Sequence, residues 1–215
     1  MMNPDDFIDA YLKGILEQNK SVNLTSITDY ETARILHVQD SLFALPEFNE
    51  APEGPYADIG TGGGFPGVPL GVVSGRETIL VDSVTKKITC IDKVLATLPP
   101  RSITTYAGRI EDFSKEYPQY FAVVTARALS RLSVLMELAS PLLFKGGQLI
   151  ALKAEVSEEE LNHALRVGPQ VGMRLCSRRR GFVSDTTRTI FVFEKYTQPR
   201  MNLPRKMGFA QKKPL

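Results

Sequence analysis

The sequence predicts an α/β fold: a mostly parallel sheet with helices on both faces, preceded by an N-terminal helical extension. Three observations predict it. From residue 56 onward, short apolar strand-like runs alternate with helical patterns, and such alternation requires crossover connections that cover a sheet on both sides. A glycine-rich turn, Asp58-Ile-Gly-Thr-Gly-Gly-Gly-Phe-Pro-Gly67, joins the first of these strands to the helix that follows it. The chain before residue 50 shows only helical periodicity. The 215 residues are enough for one substantial core, so the division expected is an extension over 1–50, a main domain over 51–197 and a basic tail over 198–215.

In order, residues 4–19 place Ile8, Leu12, Ile15 and Leu16 on one helical face. Thr28 and Glu31 have capping-box spacing ahead of a second helix whose apolar face is Ile35, Val38 and Leu42. Pro46 to Pro55 reads as a connecting loop. Strands are then expected at Tyr56–Ile59, Thr78–Val81, about Ser102–Tyr106, Phe121–Thr125 and Gln148–Leu152. Helices are expected between them: after the glycine turn, over Val84–Leu98, from Glu111, and over Leu132–Leu143. A glutamate-rich helix at 155–167 follows. Gly172–Cys176 and Arg188–Phe193 are strand-like with no helix between them, only Ser177-Arg-Arg-Arg-Gly181 and a turn, and are expected to close the sheet as an antiparallel hairpin.

Composition bounds the function. Cys90 and Cys176 form no Cys-x-x-Cys pair, so neither a disulfide framework nor a zinc knuckle is indicated, and a cytoplasmic protein is expected. No apolar run approaches the ~20 residues of a membrane helix. The net charge of +2 hides an asymmetry: residues 1–173 carry 15 basic and 22 acidic side chains, residues 174–215 carry 11 and 2. A basic end on an acidic body suits a polyanion such as RNA, and equally a solvated tail.

The glycine turn is the centre of the chemistry. Gly60, Gly62 and Gly64 let a backbone turn sharply and a ligand approach it ahead of a helix N-terminus. Two cofactors compete for it. The frame Gly62-x-Gly64-x-x-Gly67 fits a nicotinamide-type dinucleotide oxidoreductase. The frame Asp58-x-Gly60-x-Gly62-x-Gly64 suits a class I, Rossmann-like methyltransferase that uses S-adenosyl-L-methionine (SAM). Asp58 would repel a pyrophosphate but can meet the ammonium of SAM, and Pro66 removes a helix N–H that a pyrophosphate would use. Asp82, ending the second strand, can accept both ribose hydroxyls of either cofactor or simply cap the next helix. Ile110 and Glu111, after the third strand, stand where an adenine lies, or merely start a helix. Arg127, at the end of the fourth strand, can contact the cofactor carboxylate, an RNA phosphate or an ordinary ion-pair partner. No Asn-Pro-Pro-Tyr run and no Pro-Cys nucleophile is present, so no catalytic residue is singled out. His37 has no metal-ligand partner at a suitable spacing, which argues against a metal site; with Asp40 and Ser41 it reads as a hydrogen-bonded packing group or an acid–base catalyst.

Taken together, Asn23-Leu-Thr-Ser-Ile27, His37-Val-Gln-Asp-Ser-Leu42, the turn extended to Pro69, Val81-Asp-Ser83, Arg127-Ala128 and Ala151-Leu-Lys153 resemble the RsmG (GidB) family over nearly the whole chain from about residue 20. The resemblance implies a SAM-dependent methyltransferase acting on N7 of a guanine in 16S ribosomal RNA, position 527 in the usual rRNA numbering. It carries cofactor contacts onto Gly60, Phe65, Ile110, Glu111 and Arg127, beside Gly62 and Asp82 from the residues themselves. The expected partner is 16S RNA or the small ribosomal subunit, held across the carboxyl edge of the sheet by Lys153, Arg188 and Arg205 of the tail. A non-catalytic RNA-binding assembly factor with the same fold is the remaining alternative.

Overall fold

The computed structural model describes residues 2–22 and 24–215; Asn23 of the Asn23-Leu24-Thr25 motif lies outside them. Seven strands form one sheet in the order β3-β2-β1-β4-β5-β7-β6. β1 (Tyr56–Ile59), β2 (Thr78–Asp82), β3 (Ile103–Ala107), β4 (Phe121–Arg127) and β5 (Leu143–Lys153) run parallel. β7 (Thr186–Lys195) is antiparallel to β5, and β6 (Met173–Val183) is antiparallel to β7, which is the expected closing hairpin. The strand order reverses between β1 and β4, where an open parallel sheet leaves a crevice beyond its carboxyl ends. Burial explains the composition of the central strands: Tyr56 to Ile59 and Phe121 to Ala126 are all buried, so they read as near-continuous apolar runs, broken only by Asp58 and Thr125, which bond each other.

Five crossover helices cover the two faces: α5 (Gly67–Ser74), α6 (Thr85–Leu95), α7 (Ile110–Glu116), α8 (Leu132–Ala139) and α9 (Glu158–Val167). Ahead of them, α1 (Pro4–Asn19) is capped by Asn3, whose side chain accepts from the Asp6 N–H. It buries Phe7, Ile8, Tyr11, Leu12 and Ile15 in one cluster with Val68 and Val72 of α5 and Ile88, Ile91 and Val94 of α6. The extension therefore shares a core with the helices on one face of the sheet.

Several expectations are corrected. The second helix is capped by Asp29, whose carboxylate accepts from the Thr32 N–H at 2.8 Å, and not by the Thr28–Glu31 box. That helix runs as α2 (Tyr30–Ala33), a π-helical segment (Arg34–Gln39) and α3 (Asp40–Leu42). Pro46–Pro55 is not all loop, because α4 (Leu45–Glu50) occupies its start: Pro46 suits a first turn and Phe48 is fully buried. Arg76 then donates to the carbonyls of Phe48, Ala51 and Pro52 at 3.3, 3.1 and 2.6 Å, supplying the partners that a helix end lacks. The Ser177–Gly181 segment, expected to connect two strands, is itself strand: β6 is an edge strand whose arginines reach acids beside it. α8 stops at Ala139, two residues before Pro141.

The tail is not free. α10 (Phe209–Lys212) buries Ala210 in the main core, with Leu203 and Leu215 packed against it.

Because α1 shares its core with α5 and α6, Leu12→Ala should destabilise the whole molecule by about 2–5 kcal/mol and leave one cooperative transition. Urea unfolding followed by far-ultraviolet circular dichroism checks this; a separate early transition would mark α1 as an independent appendage.

Candidate cofactor and active site

The glycine loop is built around a buried carboxylate. Asp58 ends β1 with no exposed surface. One of its oxygens accepts from the Thr61 hydroxyl at 2.6 Å and from the Gly67 N–H at 2.9 Å; the other accepts from the Thr125 hydroxyl on β4 at 2.7 Å. Burial pushes this carboxyl up to about 6, against the hydrogen bonds that favour its ionised form. Asp58 is thus corrected from a group that meets the cofactor's ammonium to the pin that shapes the loop. Gly67 fits because a Cβ there would stand 2.2 Å from Leu80 and 2.8 Å from the Asp58 carboxylate.

The same bonds weigh against a dinucleotide. The first N–H of α5 is spent on Asp58, and a carboxylate stands where a pyrophosphate would need a bare helix end.

Gly62 is the opposite case from Gly67. It has φ +61°, and a Cβ there would meet nothing within 4 Å, so its backbone faces open space. Its N–H donates to Asp82 at 3.0 Å, and the other Asp82 oxygen accepts from the Val84 N–H at 2.9 Å. Each carboxylate oxygen has a second lone pair beyond these bonds, and Asp82 lines the adjoining cavity, so it joins loop, turn and ligand space at once.

Three adjoining cavities open at the carboxyl end of the sheet. One of about 290 Å³ is lined by Gly60, Asp82, Ile110 and Glu111. One of about 220 Å³ lies against Gly60, Gly62, Phe65 and His37. The largest, about 510 Å³, is lined by His37, Asp40, Lys153, Glu155 and Arg188. Arg127 and Ala128 line all three. Ala128 has φ +52°, a strained backbone for a residue with a Cβ, of the kind found at ligand clamps. The sequence marks it only as the neighbour of Arg127 in the family motif, and nothing there signals its backbone.

At this junction Arg127 donates to Asp40 at 2.8 Å and to the Leu36 carbonyl at 3.1 Å, and its guanidinium lies 6.0 Å from the Phe65 ring centre. Arg188 pairs with the other Asp40 oxygen. His37 stacks on Phe65 at 5.0 Å and shares a hydrogen bond with the Thr25 hydroxyl at 2.9 Å. Burial, then the Arg127 charge, push its imidazole down to about 4, so it is neutral at physiological pH.

The remaining predicted residues divide. Lys153 pairs with Glu160 at 3.1 Å and donates to the Ser130 carbonyl at 2.9 Å, while lining the large cavity beside Arg188. Arg205 is a correction: it makes a two-pronged pair with buried Glu137 at 2.7 and 2.6 Å, so it anchors the chain end and is not extended toward RNA. Glu111 lines the small cavity, but its carboxylate accepts from the Gly208 N–H at 2.6 Å.

With this arrangement in view, the family model for rRNA small subunit methyltransferase G (GidB) matches residues 6–170. The chain belongs to that family. It is 37% identical over 210 residues to the ribosomal RNA small subunit methyltransferase G of Desulfitobacterium hafniense (strain Y51), covering 95% of this chain and 87% of that one. It is 34% identical over 211 residues to the protein of the same name from Lysinibacillus sphaericus (strain C3-41), covering 95% and 88%. The fold is also that of a ribosomal protein L11 methylase from Lactobacillus delbrueckii subsp. bulgaricus, with a TM-score of 0.57 at 15% identity, covering 75% of this chain and 79% of that one. For a member of the methyltransferase G family, the cofactor is SAM. The residues present fit it: an open glycine backbone, a carboxylate with free lone pairs, and the N-terminus of α7.

Two outcomes are expected. Asp58→Ala should cost about 2–4 kcal/mol, since it strands three donors, whereas Asp58→Asn can still accept from Thr61 and Gly67. A carboxyl raised from 3.8 to about 6 stabilises the fold below pH 4, and that contribution, about 3 kcal/mol, is lost as pH rises to 6. Wild type should therefore lose stability relative to Asp58→Asn across that window in chemical denaturation, and parallel curves would remove the pin. His37 has the opposite sign: its lowered pKa makes stability rise with pH between about 4 and 6.5. Its ring resonances should titrate near pH 4 by NMR; a midpoint near 6.5 would place the ring in water.

Proposed function

We propose that this protein transfers a methyl group from SAM to N7 of a guanine in 16S ribosomal RNA. The observation that carries the reading is the meeting of two kinds of space at Arg127 and Ala128: a nucleoside-sized cavity against Asp82, and a larger open cavity rimmed by Lys153 and Arg188. The ribosomal RNA methyltransferases among its relatives supply the substrate class.

In this reading Asp82 holds the ribose hydroxyls, the α7 N-terminus at Ile110 and Glu111 faces the nucleobase, and Gly60, Gly62 and Phe65 form the floor under the amino-acid end. Bound there, SAM supplies an electrophilic methyl group. The protein's own contribution is placement. N7 of guanine presents a lone pair and carries no proton, so no general base is required, and orienting the two reactants can contribute up to ~7–11 kcal/mol. Neutral His37 and stacked Phe65 give the junction a flat wall without adding a cation to it. Lys153 and Arg188 hold phosphates flanking the splayed base at the cavity rim.

Methyl-labelled SAM incubated with naked 16S RNA, small subunits and tRNA should label one of the first two. The product should be cleavable by borohydride and aniline at one guanine, as a purine made cationic at N7 is. Label on another atom would refute the guanine N7 reading, NAD binding without SAM binding would restore the dinucleotide alternative, and SAM binding without turnover on any RNA would favour the assembly factor. Asp82→Ala should weaken SAM binding by roughly 1–3 kcal/mol in calorimetry; unchanged affinity would leave Asp82 a turn residue.

A further inference from the structure

The cavity assigned to the adenosyl end has two sides, and only one comes from the sheet. Asp82 ends β2, Ser83 and Val84 follow it, and Ile110 and Glu111 open α7; Leu129, Leu138 of α8 and Gln211 of α10 line the same cavity. The last ten residues thus form part of a wall whose other members lie between residues 60 and 138.

This placement is held by independent contacts. Arg205 grips Glu137, which is 3% exposed, and also donates to the Lys213 carbonyl at 2.9 Å, closing the loop around α10. Gly208, with φ +73°, turns its N–H onto the Glu111 carboxylate at 2.6 Å. Ala210 is 3% exposed in the main core. Glu111 thus ties the chain end through one carboxylate oxygen while it still lines the cavity. Gln211 is the carboxamide residue among those that line this cavity.

We propose that α10 completes the cofactor pocket and that Gln211 recognises the adenine edge of SAM. A carboxamide carries a donor and an acceptor in one plane, the pattern that matches the amino donor and adjacent ring-nitrogen acceptor of adenine. On the edge that joins that amine to N7, inosine presents two acceptors, O6 and N7, and no donor, so neither orientation of the carboxamide pairs with both. The proposal rests on SAM being the cofactor, and it reverses what a free basic tail would imply, since such a tail would be dispensable for cofactor binding.

The test uses the full-length protein and calorimetric titration with S-adenosylhomocysteine and S-inosylhomocysteine. Wild type should prefer the adenosyl compound. Gln211→Ala should bind S-adenosylhomocysteine roughly 5- to 20-fold more weakly and lose at least about fivefold of that preference. Arg205→Ala, which loosens the segment without touching the cavity, should weaken both nucleosides by a similar factor, with unchanged circular dichroism showing that the fold persists. A Gln211→Ala protein with wild-type discrimination overturns the assignment whatever its affinity. A wild-type protein that binds neither nucleoside brings down the SAM reading itself, a result distinct from failure at Gln211.

Discussion

The functional end of the molecule depends on one buried carboxylate. Asp58 stands in register with Thr125 on the neighbouring strand, so the bond between their side chains locks β1 to β4 at the point where the sheet order reverses. The same carboxylate holds Thr61 at the start of the glycine loop and Gly67 at its end. Three donors from three segments thus converge on a group that has no water to fall back on, and desolvation makes each of them costly to lose. Tyr11 of α1 supports the loop from outside by donating to the Gly63 carbonyl at 3.0 Å. An open backbone at Gly62 is possible because its neighbours are this firmly held.

The charge asymmetry of the sequence has a structural origin. Of the 11 basic residues after 173, Arg174, Arg178, Arg179, Arg188 and Arg205 form ion pairs, and four of those pairs are with acids of the first 173 residues: Glu158, Glu47, Asp40 and Glu137. Part of the contrast between acidic body and basic end is thus spent on contacts between the two, three of them with carboxylates under a tenth exposed. Composition alone cannot distinguish charges kept for a polyanion from charges used within the fold, because it carries no distances. Lys153 and Arg188 are paired as well, with Glu160 and Asp40, but unlike Arg205 they line the large cavity, and that placement favours an RNA face more than the count of basic residues does.

The fold was legible where local patterns and burial agree. Short apolar strands, the glycine turn and the closing hairpin all follow from side chains that are buried on both faces or alternate on an edge. The family was legible because its motifs are contiguous: Asp58 to Pro69 and His37 to Leu42 each occupy one stretch of chain. What was hidden depends on distant pairings. Arg205 looks like a tail cation until Glu137, 68 residues away, is found beneath it, and Gln211 has no neighbour in sequence to suggest a pocket. The π-helical segment was hidden for another reason: one wide turn breaks no polarity pattern, yet it carries the Leu36 carbonyl that Arg127 uses.

The electrostatics at the junction of the cavities follow from Asp40. Its carboxylate, 4% exposed, is shared by Arg127 and Arg188, so the trio carries one net positive charge beside the adjoining cavities. A protonated His37 would add a second, at a site where burial already penalises ionisation. Keeping the imidazole neutral leaves its face available to Phe65 and its Nε2 to Thr25. Arg127 therefore acts twice. It anchors the helical layer to the sheet through Asp40 and Leu36, and its charge helps to hold His37 uncharged. One arginine at the end of β4 thus couples the packing of the N-terminal helices to the charge of the space where cofactor and base would meet.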